Sequence, residues 1–420
     1  DLGEVKFSIS PLEEWTQIFN DAWRLHRDYF YDPKMHRVDW KRERDRHAAL
    51  LPRVTDRSEL DDLIAQMVGE LSAMHTNIRT GDVRKGTDDV SMGYLGAYLS
   101  RQKNEGFRVD HILRADPDFP QDLSPLAKPG VDVREGDVII AINGVPTLSV
   151  DDLSILLRNK TGRKILLETK RLGQADSKRV VVGPIGARGF RSLRMSEWEY
   201  TRRLETDRRG KGQIGYFHMR AMSGSNFSEF VKGFYPVFHR KGLIIDMRQN
   251  YGGNIDSWIL SRLLRKPWMY WKGRTMNPSA NMQYAFGGHM VVLIDAYTIS
   301  DGEAFSEGFR RLGLGKLIGT RTWGGGIWLR SSNVLIDGGI ARSPEYGVYS
   351  PDRQWIIEGD GLKPDILVDN LPHATFEGRD AQLEAAIRHL QEKIAKDPRP
   401  IPQPPDGKSL RFKPPHDRSK

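Results

Sequence analysis

The sequence predicts a multidomain protein that combines the α/β and α+β classes, and three patterns along the chain indicate this. Apolar residues recur at helical spacing near the N-terminus. Short alternating runs broken by turn residues follow, and continuous apolar runs separated by helical patterns fill the second half. We therefore expect a helical subdomain, a small β module, an α/β catalytic layer with buried, largely parallel strands, and a proline-rich basic tail, which are residues 1–88, 89–180, 181–395 and 396–420.

Two helix starts predict the helical subdomain. Ser10-Pro11-Leu12-Glu13 is a capping box with proline at the first helical position. A second start at Ser58 precedes an amphipathic face formed by Leu60, Ile64, Met67, Val68 and Leu71. We expect this second helix to run on to His75.

The β module is predicted from a buried strand at 138–142 that ends at an Asn143-Gly144 turn, which is a strong hairpin signal. A short helix at 150–158 and a second strand at 165–169 follow.

The α/β layer is predicted from two continuous apolar runs, 243–247 and 291–294, because strands buried on both faces of a parallel sheet lack polar alternation. Helices are expected at 226–239 and 301–312. A closing helix is expected at 380–395, where apolar residues share one face.

Composition excludes several classes of protein. With 420 residues and 38% hydrophobic residues the chain can bury a core, and it has no uncharged apolar run long enough to span a membrane. The absence of cysteine excludes disulfides, thiol nucleophiles and cysteine-ligated zinc. The net charge of +9 is diluted along the chain, so we predict a solvated surface and no nucleic-acid partner. No signal peptide is visible at the start of the chain, which begins at Asp1, so we expect a chain that is either processed or a piece of a longer protein. We expect a cytoplasmic location, with a periplasmic or exported one as the alternative.

The candidate nucleophile is Ser300, which falls between the buried run 291–294 and the helix beginning at Asp301. A hydroxyl there sits at the carboxyl end of a strand and at the positive end of a helix dipole. Attack by this hydroxyl would leave an oxyanion facing the Asp301 N–H. The alternative is that Ser300 only caps the helix, with Glu303 completing a capping box.

Three further segments offer partners for this serine. The Gly252-Gly253 pair follows the strand at 243–247, where glycines let backbone amides approach a ligand, or simply make a tight turn. His75 is the candidate general base because it ends the expected amphipathic helix. Most other histidines are unremarkable: His26 and His47 lie on expected helix surfaces, and His218 lies in a strand-like run. Glu358, which follows an apolar run, is a candidate orienting carboxylate or an exposed turn residue. The chain lacks zinc-protease, phosphate-loop and G-x-S-x-G motifs, so we expect no metal or cofactor.

Taken in order, these segments resemble the tricorn protease core, a branch of the C-terminal processing peptidases, from residue 10 to about 395. The motifs that carry the resemblance are 27–32 with 38–40, 95–97, 134–139, 215–220, 250–253, 300–303 and 316–325.

The resemblance implies a serine endopeptidase that cleaves unfolded proteins or oligopeptides through an acyl-enzyme. It assigns Ser300 as nucleophile, His75 as general base and Glu358 as supporting acid, and it places the oxyanion hole at the amides of Asp301 and of Gly252 or Gly253. It also implies a PDZ-like module whose carboxylate loop is Leu95-Gly96-Ala97. The processing branch has a lysine base where this chain has Gly325, so a histidine mechanism is required.

The chain departs from the family pattern at Met74, where relatives often carry a serine that links the histidine to the glutamate. The region that sets the side-chain preference of archaeal relatives is aromatic here, at 267–272, which suggests an apolar residue before the cut. The resemblance further implies β-propeller domains ahead of this core and a homo-oligomer, which is a hexamer in relatives. The alternatives are a non-catalytic PDZ-type peptide-binding module with a decayed active site, or a basic tail that binds nucleic acid.

Overall fold

The structure is a computed structural model that describes residues 8–81, 86, 88–171, 173–174, 176–330 and 332–405. The chain divides into two compact units. One comprises residues 84–205, and the other combines the N-terminal 83 residues with everything from 206 onward.

The N-terminal helices pack around one apolar core. They are α1 (Pro11–Tyr29), α2 (Trp40–Ala48) and α3 (Arg57–Gly69), followed by the short strand β1 (Asn77–Arg79). The N-cap of α3 is Asp56, two residues before the predicted start at Ser58, because the Asp56 carboxylate accepts from the N–H groups of Ser58 and Glu59. The expectation that α3 runs to His75 was wrong. The helix ends at Gly69 and Ser72 takes a positive φ of 50°, so His75 lies in the connection to β1.

Two histidines expected on helix surfaces are buried. In His26 and His47 the ring Nδ1 bonds the carbonyl four residues earlier, at 2.9 Å and 2.8 Å. Their polar atoms are thus partly satisfied inside the helical core, which the apolar periodicity alone does not reveal.

The unit 84–205 is built on an antiparallel sheet. Its strands are β2 (Ala97–Gln102), β3 (Gly106–Ile112), β4 (Val138–Ile142), β5 (Val145–Pro146), β6 (Ile165–Lys170) and β7 (Ser177–Val182), with α4 (Ser154–Leu157) after β5. The sheet order is β2-β3-β4-β6-β7, and β5 pairs with β4. The predicted helix at 150–158 is reduced to α4. Thr147 bonds the carbonyls of Ile139 and Ile140, and the chain after it first makes a 3₁₀ turn.

The elements after β7 comprise one long helix, most of which (residues 187–205) belongs to the unit 84–205, and the elements of the unit that contains the α/β layer. They are α5 (Ala187–Arg209), β8 (Ile214–His218), α6 (Phe227–Phe234), β9 (Gly242–Asp246), α7 (Asp256–Leu263), β10 (Tyr270–Trp271), β11 (Ser279–Ala280), β12 (His289–Ile294), α8 (Asp301–Arg311), β13 (Gly315–Gly319), β14 (Ile327–Leu329), β15 (Ile340–Arg342), β16 (Pro344–Gly347), β17 (Ile366–Leu367), α9 (Pro372–Phe376) and α10 (Ala381–Lys396).

A five-stranded parallel sheet of order β17-β13-β12-β9-β8 organises this layer, which confirms the predicted parallel strands. Apolar clusters cover both faces of the sheet, and α10 packs on one of them. Strands β9 and β12 are neighbours, so the segments that leave their carboxyl ends emerge side by side. These segments carry Gly252-Gly253 and Ser300.

The N-terminal segment joins this unit through β1, which pairs antiparallel with β15. His75 lies two residues before β1, so this pairing carries it to the α/β layer. No helix in the described part of the chain is long and apolar enough to cross a bilayer. After α10, residues 397–405 form neither helix nor strand, and the rest of the predicted basic tail, 406–420, lies outside the described residues.

Candidate active site

Ser300 is the N-cap residue directly before α8 and has an unusual backbone conformation. Its φ is 56° and its ψ is −122°, whereas residues that cap helices normally take an extended conformation. A non-glycine residue with such a backbone is strained by about 1–3 kcal/mol, and such strain concentrates at functional sites. The residue is 8% exposed.

Glu303 holds Ser300 in this conformation. Its buried carboxylate accepts the Ser300 N–H at 3.0 Å and also binds the loop at 322–325. The loop donates from the Thr322 hydroxyl, from the Gly324 N–H at 2.8 Å and from the Gly325 N–H at 3.0 Å. Burial raises the pKa of this carboxyl above its ordinary value, and the four donors oppose that rise.

Gly252 lies directly against Ser300. A Cβ built on Gly252 would come within 2.6 Å of the Ser300 Cβ and 3.1 Å of its Oγ, and the glycine has a φ of +74°. The Gly252 N–H is occupied by the Asn250 side-chain oxygen at 2.9 Å. Within the described residues the N–H groups of Gly253 and Asp301 have no hydrogen-bond acceptor. Two backbone donors, one on the residue after Ser300 and one on the residue after Gly252, are therefore without an acceptor in this part of the chain.

The side chain of Asp301 joins the nucleophile segment to the glycine loop. Its carboxylate accepts from the N–H of Ile255 at 2.7 Å and from that of Asp256 at 3.1 Å, at the start of α7. Burial, and secondarily the nearby Asp256 carboxylate, raise the pKa of Asp301 to about 7.

His75 is oriented by a backbone carbonyl. Its Nδ1 lies 2.8 Å from the oxygen of Ile327, and a carbonyl can only accept, so Nδ1 carries the proton of the neutral ring. The Nε2 atom then holds a free lone pair. The rings of Trp323 and Trp328 stand edge-on to the imidazole, at centroid distances of 5.6 Å and 6.2 Å. Burial lowers the pKa of His75 below its ordinary value, and the charge of Arg342 adds to this.

Glu358 joins the two backbone segments that hold His75. One oxygen accepts the Met74 N–H at 2.8 Å and the other accepts the Gly326 N–H at 2.7 Å. These residues directly precede His75 and Ile327. Glu358 was expected after a strand, but it lies in a turn, because Ile357 takes a φ of 75° and its carbonyl accepts from Gly361. The carboxylate therefore reaches the backbone next to His75 through the Met74 N–H, while the imidazole Nδ1 bonds the Ile327 carbonyl.

The loop at 322–327 connects the serine and histidine parts of the site. Gly325 binds Glu303, which binds Ser300, and Ile327 binds His75. The two loop residues are two positions apart, which an extended chain spans in about 7 Å. A side chain does not fit at Gly325 without displacing Trp323, whose ring would lie 2.2 Å from a Cβ. A lysine base at this position would therefore need a different loop.

The predicted carboxylate loop lies in the other unit, residues 84–205. Leu95 is buried in the module core, and Gly96 has a φ of +72°, with Ser124 and Pro125 too close for a side chain. Ala97 begins β2, which is an edge strand of the sheet. Among the described strands, β2 pairs only with β3.

Sequence reasoning missed three groups that shape the site: the Asn250 side chain, the Ile327 carbonyl and the loop contacts of Glu303. The Ser-x-x-Glu spacing of Ser300 and Glu303 predicts a capping box, but it does not predict that Glu303 also binds the loop at 322–325. The Ile327 carbonyl has no sequence signal, because any residue type supplies one.

Comparisons with known proteins agree with this architecture. The family model described as peptidase family S41 matches residues 213–368, and the tricorn protease C1 and PDZ domain models match 11–69 and 93–187. "Tricorn protease homolog 1" of Streptomyces coelicolor is 32% identical over 96% of this chain and 38% of its own length. The chain belongs to the tricorn branch of peptidase family S41.

Other members of the tricorn branch show the same extent of similarity. The "Putative Tricorn-like protease C-terminal subunit" of Sulfurisphaera tokodaii is 34% identical over 94% of this chain and 45% of its own length. The crystal structure of the tricorn protease superposes with a TM-score of 0.86 at 27% identity, over 94% of this chain and 38% of that one. The chain thus spans about two-fifths of the length of these S41 relatives.

Proposed function

We propose that the chain is a serine endopeptidase that cleaves unfolded proteins or oligopeptides through an acyl-enzyme. The observation that supports this most directly is the placement of Ser300, strained at positive φ, against a glycine loop with two amides available. Family membership supports the same chemistry.

In this mechanism the Ser300 Oγ attacks the scissile carbonyl carbon while its proton passes to Nε2 of His75. The N–H groups of Asp301 and Gly253 bind the oxyanion of the tetrahedral intermediate. We choose Gly253 over Gly252 because the Gly252 N–H is already bonded to Asn250. The leaving amine takes the proton from His75, and a water molecule then hydrolyses the acyl-enzyme by the same steps. Glu358 acts as a positioning residue through the backbone on both sides of the imidazole.

The PDZ-like module is proposed to capture substrate chains at Leu95-Gly96-Ala97. The whole protein is proposed to carry β-propeller domains, to assemble as a homo-oligomer and to act in the cytoplasm. The relative named as a C-terminal subunit indicates that a core of this kind works with other chain segments.

A fluorophosphonate probe tests the nucleophile. We expect the parent protein to be labelled with a mass shift on Ser300, and the Ser300→Ala variant to remain unlabelled and to leave casein uncut. Ser223→Ala, at another serine that precedes a helical turn, is the matched control and should be labelled like the parent. A parent protein that takes no label would contradict the proposal and favour the peptide-binding module.

A further inference from the structure

A cleft at the far end of α7 carries two cationic side chains. It has a volume of about 500 Å³ and lies within the unit that contains Ser300. The residues that line it are Tyr235, Arg262, Arg265, Trp268, Asn281, Met282, Gln283 and Tyr284. None of them is acidic.

The two arginines have no counter-charge in the described part of the chain. Neither Arg262 nor Arg265 forms an ion pair or donates a side-chain hydrogen bond there, and both are half-buried. From residue 257 to 294 the sequence contains no Asp or Glu but carries five basic residues, which are Arg262, Arg265, Lys266, Lys272 and Arg274. Half-buried guanidinium groups without a partner favour an anionic ligand, and their planar donors match a carboxylate.

The aromatic lining fits a peptide. Trp268 is 71% exposed, although it lines the cleft. Tyr284 is held by edge contacts with Tyr235 and Phe238, at centroid distances of 4.8 Å and 5.1 Å. Met282 and Tyr284 both have positive φ, at 66° and 60°, which is a strain that commonly persists at ligand clamps. Aromatic surfaces beside a charged anchor supply the apolar contact that a peptide chain needs.

Helix α7 connects the cleft to the segment that carries Ser300. Helix α7 begins at Asp256, whose N–H bonds the carboxylate of Asp301, and Arg262 follows six residues later. At 1.5 Å per residue the helix places Arg262 about 9 Å along its axis from this start. An extended peptide rises about 3.3 Å per residue, so a group about three residues from the cut spans this distance.

We propose that this cleft is a substrate subsite that binds a carboxylate of the peptide, either a Glu or Asp side chain or a free C-terminus. This proposal rests on the proposed peptidase function, because it names the class of peptide that the peptidase site would take. The chain therefore favours acidic peptides with an apolar or aromatic residue beside the carboxylate.

Peptide binding to the Ser300→Ala protein tests this subsite without cleavage. The probes are ten-residue peptides with an acetylated N-terminus and no other charge, which carry Glu or Gln at one position and a free or an amidated C-terminus, and their binding is measured by isothermal titration calorimetry. We expect the peptides with a carboxylate to bind roughly tenfold more tightly than the Gln amide, as one charge-assisted bidentate contact provides. The peptide with Glu and an amidated C-terminus carries only a side-chain carboxylate, and the peptide with Gln and a free C-terminus carries only a terminal one. Comparing their affinities shows which source of carboxylate the cleft prefers.

Arg262→Gln and Arg265→Gln should each remove most of this preference. Lys266→Gln removes the same charge from the same segment without lining the cleft, and should leave the preference intact. Equal binding of all four peptides, no binding of any, or an equal effect of Lys266→Gln would overturn the subsite. An oligonucleotide that binds through the two arginines while the peptides do not would also overturn it. Cleavage of the uncharged peptide by the parent protein is measured separately, so a failure of the peptidase function is recognised independently.

Discussion

At the scale of single residues, the site depends on how one imidazole is held. The Ile327 carbonyl selects the neutral tautomer of His75 with Nε2 free, and burial lowers the pKa of the ring although the hydrogen bond to Ile327 opposes this. A general base must be unprotonated to accept the serine proton, so the tautomer and the lowered pKa favour this role.

We expect kcat/KM to fall only below the pH at which an ordinary histidine is half protonated. The reason is that burial lowers the pKa of His75 from 6.5, and protonation removes the base. Because the folded-state pKa is depressed, the stability that the neutral ring contributes is present above 6.5 and is lost as pH falls through the folded value. The measurement is kcat/KM on an unstructured peptide from pH 5 to pH 9.

The ionisation of Asp301 near pH 7 must be separated from that of His75. Asp301→Asn removes this group but keeps a side-chain oxygen that accepts from Ile255 and Asp256. The acid limb of the profile should persist in this variant. A limb that disappears in Asp301→Asn would assign it to the carboxyl and contradict the role of His75.

Glu358→Gln should lower kcat/KM by roughly tenfold to a hundredfold, because Gln has one acceptor oxygen for two backbone donors and loses a charge-assisted bond. Asp360→Asn in the same turn is the matched control, since its side chain is exposed. Kinetics of both variants against the parent check this. Equal rates for Glu358→Gln and the parent would show that the contact does not position the base.

At the scale of elements, the glycine loop after β9 and the turn after β12 fit together only because position 252 lacks a side chain. We expect Gly252→Ala to lower kcat by about a hundredfold, because a Cβ there meets the Ser300 Cβ at 2.6 Å and displaces the nucleophile. The alanine also strains a φ of +74°. Peptide hydrolysis and the melting temperature are the measurements.

Gly287→Ala is the control for this change. A Cβ at position 287 meets nothing within 4 Å, so activity and stability should stay near those of the parent. If Gly252→Ala also behaved like the parent, the close packing of the glycine loop on Ser300 would not matter for catalysis.

At the scale of the whole molecule, a buried ionic network ties α10 to the parallel sheet. Arg248 lies just beyond β9 and binds Asp246 at 2.6 Å and Asp380, which caps α10, at 2.8 Å. All three side chains are at most 8% exposed. The positive charge of the arginine therefore compensates the negative charges of the two buried carboxylates.

Arg248→Ala should lower the free energy of unfolding by about 3–5 kcal/mol, because it leaves two buried carboxylates without their cation. Lys41→Ala removes the cation of an exposed pair with Asp45 and should cost less than about 1 kcal/mol. Urea unfolding followed by tryptophan fluorescence compares the two. Similar costs would mean that the buried network does not stabilise this unit.

The sequence alone determined the elements and the chemical groups of this protein. The apolar runs at 243–247 and 291–294 predicted parallel strands, and the strand-to-helix junction predicted Ser300, because burial on two faces and helix starts leave local patterns in residue type. The division into four regions and the roles of Ser300, His75 and Glu358 stay predictions.

The tertiary structure alone decided how these groups are held. His75 meets a carbonyl 252 residues away and Met74 meets Glu358 across 284 residues, and main-chain atoms that make such contacts are the same in every residue type.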